Sequence, residues 1–105
     1  MLNKRIVEQR VARGARFYDE RLPGWPKKLN LHVLEMYNPF YCVIAQLEGP
    51  NWQWNKILPS IEARWELGFM PPLPCTLPFS ELVEYYRLLG EFWKEEVNRR
   101  LYAAD

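Results

Sequence analysis

A chain of 105 residues with 49% hydrophobic and 26% charged side chains has the size and balance of one globular domain, which excludes disordered and fibrous classes. Fourteen basic side chains against thirteen acidic ones leave a net charge of +1, so no global field draws the molecule to nucleic acid or to an anionic membrane. Cys42 and Cys75 form no CxxC pair and His32 is the only histidine, a poor inventory for a zinc site or a disulfide framework.

No metal or cofactor is therefore expected, and both thiols are read as reduced. No run approaches the ~20 apolar residues of a membrane span, and Glu8 and Arg10 interrupt any secretory leader near the start. The expectation is a soluble, cytoplasmic protein with one domain over residues 1–105.

Residues 3–22 have a helical period. Val7, Val11, Gly14, Ala15, Tyr18 and Leu22 fall within about 100° of arc, with Arg5, Arg10, Arg13, Arg16 and Arg21 on the opposite side. Pro23-Gly24 ends the segment. Gly14 lies inside the apolar stripe, where its missing side chain would admit a close neighbour and offset a propensity cost of about 1 kcal/mol. Short turns are read at Trp25–Leu29 and Asn30–Leu34.

Residues 38–48 read as a helix capped by Asn38, with Pro39 at its first position and Gly49-Pro50 closing it. Phe40, Val43, Ile44 and Leu47 share one face, yet Tyr41, Cys42 and Ala45 on the other are also apolar or nearly so. A helix apolar all round is buried all round, so this segment is expected to be a central strut. Trp52 and Trp54 follow in a turn-rich stretch, then a short helix over residues 59–67 with Ile61 and Trp65 on one side and Gly68 as its stop. Four prolines between Met70 and Pro78 exclude helix or central strand and suggest a stiff strap.

The last helix is placed at residues 79–102. Its main stripe is Phe79, Leu82, Tyr86, Leu89, Trp93 and Val97, with Tyr85, Leu88 and Phe92 in a second stripe beside it. Either the helix packs against two neighbours or the second stripe meets a partner. The fold class expected is all-α: three or four helices around a buried central helix, joined by long irregular, proline-rich connectors.

Chemistry is thinly signalled. Cys42 with His32, oriented by Glu35, sketches a small thiol enzyme, but no spacing supports it, and a cysteine four positions into a helix is more simply a small buried hydrophobe. Glycine loops that cradle phosphate are absent. The arginine face, Arg5, Arg10, Arg13, Arg16 and Arg21, offers bidentate phosphate donors and defines a nucleic-acid alternative, weakened by Glu8 and Glu20 on the same side. Tryptophans two apart in a loop are candidate binding anchors, so Trp52, Trp54, Tyr85, Leu88 and Phe92 form the partner-binding set.

Arg13-Gly14-Ala15, Asp19-Glu20 and Pro23-Gly24-Trp25, followed by Cys42-Val43-Ile44-Ala45-Gln46-Leu47 and Gly68-Phe69, resemble a pattern in small actinobacterial and actinobacteriophage proteins of unknown function. The resemblance spans residues 10–70, with Ala45 where the group more usually has glycine. It implies a phage or mobile-element accessory protein and carries over no catalytic residue. The functional expectation is a non-enzymatic module that binds a host protein.

Overall fold

The computed structural model describes residues 3–49, 61–72 and 76–102, and these are helical without strands. Helix α1 spans Lys4–Arg21 and opens on Asn3, whose side chain accepts a hydrogen bond from the Ile6 N–H at 3.3 Å. The cap satisfies one of the N–H groups that a helix start leaves free. Val7, Val11, Gly14, Ala15 and Tyr18 are buried as their spacing requires. After the last turn Leu22 donates to the Tyr18 carbonyl at 2.8 Å. Gly24 takes the left-handed φ of 85° that swings Trp25 back into the core, into the short 3-10 turn Trp25–Lys28.

Two further short helices follow, α2 at Val43–Glu48 and α3 at Ile61–Glu66. The long α4, Phe79–Tyr102, packs chiefly along α1. The all-α architecture thus holds, with the long irregular stretch 29–42 among its connectors. Trp52 and Trp54 lie outside the described residues, as do Cys75 and part of the proline strap.

The middle of the molecule differs from the expectation in one respect. Helix α2 starts at Val43 and not at Asn38, because the Asn38 side chain is used in another way: its Oδ1 accepts from the Phe40 N–H at 2.8 Å and closes a local turn. The Asn38 carbonyl then takes the N–H groups of Tyr41 and Cys42, and Cys42 becomes the cap, its Sγ 3.5 Å from the Ala45 N–H. Val43, Ile44 and Ala45 are buried, but Phe40 is 65% and Tyr41 46% exposed. The strut is half as long as expected and sheathed only on the side of α2 that meets the core.

The centre is aromatic, drawn from α1, the 3-10 turn, α4 and the segment after α3. Trp93 stacks on Phe69 with centroids 5.0 Å apart, meets Trp25 edge-on at 5.7 Å, and donates its Nε1–H to the Gly68 carbonyl at 2.7 Å. Tyr18 closes the ring against Phe69 at 5.3 Å. Packing of this kind contributes about 0.5–1.5 kcal/mol per ring pair beyond the burial of area.

At the far end α4 is tied to α1 through charge. Asp19 accepts from Arg100 through both oxygens at 2.8 Å and from Trp25 Nε1 at 2.8 Å, while Arg100 also reaches Glu96 at 2.7 Å. The Arg100 bonds, reinforced by Trp25, hold the Asp19 carboxyl below its usual range. Such a group adds stability that is complete above the unfolded-chain value near 3.9 and is lost as pH falls through the lower folded-state value. Thermal melts should show Asp19→Asn about 1–2 kcal/mol less stable at pH 7, the half-exposed carboxylate being partly screened. The gap should close as the pH is lowered below about 4.

Candidate docking groove

The residues proposed for chemistry do not converge. Burial pushes the Cys42 thiol up from its ordinary value, outweighing the backbone N–H groups and Arg64 that act the other way, so the thiolate needed for attack is disfavoured. Tyr18 is nearby, its hydroxyl pushed well above its usual range by burial and by the Glu48 carboxylate to which it donates. His32 is exposed in its own turn, its backbone N–H donating to Asn30 Oδ1 at 3.0 Å. Among the described residues no group of three or more His, Cys, Asp or Glu side chains is placed to hold a metal ion.

The arginine face is divided. Arg10 is turned inward, donating to the Tyr85 hydroxyl at 3.1 Å and lying over the Trp65 ring at 5.1 Å. Arg21 covers Phe17 at 4.0 Å and pairs with Glu20. Arg5, Arg13 and Arg16 remain exposed. A continuous phosphate-tracking row is thereby reduced to three side chains, with Glu8 and Asp19 exposed on the same helix.

The second stripe of α4 is core. Tyr85, Leu88 and Phe92 are buried at 5%, 2% and 9% exposure, so the partner surface expected there is already occupied by the protein itself. The exposed apolar side is instead the leading part of the main stripe, where Phe79 is 81% exposed and Leu82 and Tyr86 are half-buried, together with Val83 beside it, 52% exposed. The difference lies along the helix axis: Leu89, Trp93 and Val97, further along the same stripe, are buried, whereas its first turns are not, and Val83 and Gly90 lie on the outer side of that uncovered part.

Opposite them the irregular stretch after the 3-10 turn supplies a wall. Leu34, Met36 and Tyr37 stand across from α4, the Tyr37 ring meeting Tyr86 edge-on at 6.1 Å. The two sides enclose a groove of about 730 Å³, within the range of protein binding clefts. Its rim carries both signs. Arg87 is clamped between Glu84 and Glu91, Lys94 closes one end, and Glu35 stands on the wall. Buried apolar floor with a polar, mixed-charge edge is the anatomy of a surface that another chain covers.

No protein-family model, no curated protein and no solved structure matches the chain. The groove geometry therefore carries the functional argument unaided. Sequence reasoning missed Val83 and Gly90 as groove residues, and Leu34, Met36 and Tyr37 as its wall. A signal was present in Gly90, a helix-interior glycine on the arc of Phe79, Val83 and Tyr86.

Proposed function

We propose that the protein is a non-enzymatic binding module whose working surface is the groove between α4 and the Leu34–Tyr37 wall. What supports this reading is one observation: large apolar side chains, Phe79, Val83 and Tyr37, stand 81%, 52% and 65% exposed around one concave face. Leaving such side chains in water forgoes about 1.5–3 kcal/mol each, a loss that a docked partner recovers. The pattern of exposed knobs along one helical face suits an amphipathic helix laid in a groove. The resemblance to actinobacterial and phage proteins extends the reading to an accessory protein acting on a host protein in the bacterial cytoplasm. No helix among the described residues is long and apolar enough to cross a membrane.

Affinity capture from an actinobacterial lysate tests the reading. The wild-type chain should retain a protein that Val83→Glu loses, while exchange of Arg5, Arg13 and Arg16 for glutamate leaves retention unchanged. Retention indifferent to Val83→Glu sinks the groove as the working surface. A second reading, nucleic-acid association, draws on exposed Arg5, Arg13 and Arg16. It would instead show salt-sensitive retention on DNA that the arginine exchange abolishes.

A further inference from the structure

Gly90 is explained by neither the core nor the helix. It occupies the interior of a 24-residue helix, where glycine is the least favoured residue after proline. A Cβ at that position would meet nothing within 4 Å, and the residue is not among the glycines with positive φ. The chain's own packing would therefore accept alanine or something larger. A missing side chain in the middle of an exposed apolar groove is useful only to something that lies against it from outside.

The α4 sequence itself contains what fits. The eight α4 positions that line the groove map onto themselves when the helix is reversed about the midpoint between Tyr86 and Arg87. Any helical stripe has that symmetry, so the chemistry of the matched pairs is the informative part. Val83, the exposed knob, falls opposite Gly90, the hole. On either side of that central pair each flank meets its own counterpart: the apolar flank of Phe79, Leu82 and Tyr86 lies along the same flank of the second copy, and the charged flank of Arg87, Glu91 and Lys94 along its own.

The charges agree with the pairing. Each Arg87 is already held between Glu84 and Glu91 of its own helix, so two compensated guanidinium groups, not two bare cations, approach the axis. A rim of both signs is complemented by an identical rim turned end for end, whereas a partner of one sign gains at some positions what it loses at others.

We infer that the groove is a self-association surface, in which α4 of a second copy lies antiparallel on α4 with Val83 of each copy seated over Gly90 of the other. The contact is isologous, as a two-fold pair requires, and it rests on the reading of the groove as a protein-docking surface. It runs from Phe79 to Lys94, about 22 Å at 1.5 Å per residue. A contact so short falls at the small end of specific interfaces, so the dimer is micromolar and a target helix competes with the second copy for the same groove.

Sedimentation equilibrium on the full chain tests this. The mass should rise from that of one 12.7 kDa chain at about 1 µM to that of two at about 500 µM. Gly90→Val should weaken pairing tenfold or more while circular dichroism shows a helix at least as resistant to heat. Exchanging knob and hole, with Val83→Gly and Gly90→Val on one chain, should restore pairing. Phe79→Lys, at an exposed position that leaves folding alone, places a cation on the apolar flank and should weaken it.

A single-chain mass throughout, a dimer indifferent to Gly90→Val, or failure of the knob-and-hole exchange to restore pairing overturns the inference. A monomer that still captures a lysate protein through Val83 removes the second copy and leaves the docking reading intact. A monomer that captures nothing removes both.

Discussion

Gly14→Val is expected to cost about 4 kcal/mol or more and to lower the midpoint of thermal unfolding by about 15–30 °C. Gly14 faces the turn after α3, and a Cβ built on it would overlap the Leu67 carbonyl oxygen and lie 2.9 Å from the Trp93 ring. The first of these is backbone, so no rotamer change relieves the contact, and α1 must move off the segment that carries Gly68 and Phe69. The same crossing is tight from the other side. Gly68 has φ 77°, and a Cβ there would stand 2.6 Å from the Val11 Cα. Alanine at position 14 gains helix propensity of about 1 kcal/mol, so a measured loss of stability in Gly14→Ala would isolate the steric effect. Equal stability of Gly14→Ala and wild type by chemical denaturation would refute the close crossing.

Trp93→Ala should be the most damaging large-to-small change in the core, at about 3–5 kcal/mol. The side chain is fully buried, and its removal takes away the partner of Phe69, of Trp25 and of the Gly68 carbonyl together. The carbonyl, left without its donor in a dry site, adds about 1–3 kcal/mol of its own. Trp93→Phe is the milder change: it keeps a ring against Phe69 but loses the hydrogen bond and the volume of the second indole ring, so about 2–3 kcal/mol is expected, less than for alanine. Urea titration followed by near-ultraviolet circular dichroism would read both. An alanine variant within 1 kcal/mol of wild type would mean that the aromatic cluster is not the centre of the fold.

These two residues also show where local reasoning was sufficient. Gly14 stood inside an apolar stripe, and a glycine there has one common physical use, so its role as a contact point was legible before any neighbour was known. The same holds for Val7, Val11, Ala15 and Tyr18, whose spacing alone puts them on one face, and for Gly68 as the residue that ends α3. The partner that presses on Gly14 was not legible. Leu67 lies far along the chain, and nothing near Gly14 in sequence names it.

Helix α2 shows a competition that periodicity does not weigh. Asn38 is a good cap, but its side chain also closes a turn on Phe40. The second option won because the Glu35 to Tyr41 stretch carries its own set of backbone hydrogen bonds. Phe40 and Tyr41 were thereby carried to the surface while Val43, Ile44 and Ala45 kept their place in the core.

Composition and periodicity by themselves determined the all-α class, the extent of the two long helices, and the inward face of α1, because these depend on side chains a few residues apart on one helix. The tertiary structure alone decided how far along α4 the two neighbouring apolar stripes would be covered. Both are buried where α1 and the aromatic cluster lie against them, from Tyr85 to Val97, while the first turns of the main stripe are left uncovered. Tyr85, Leu88 and Phe92 were taken into the core, and Phe79, Val83 and Gly90 were left facing out to make the groove.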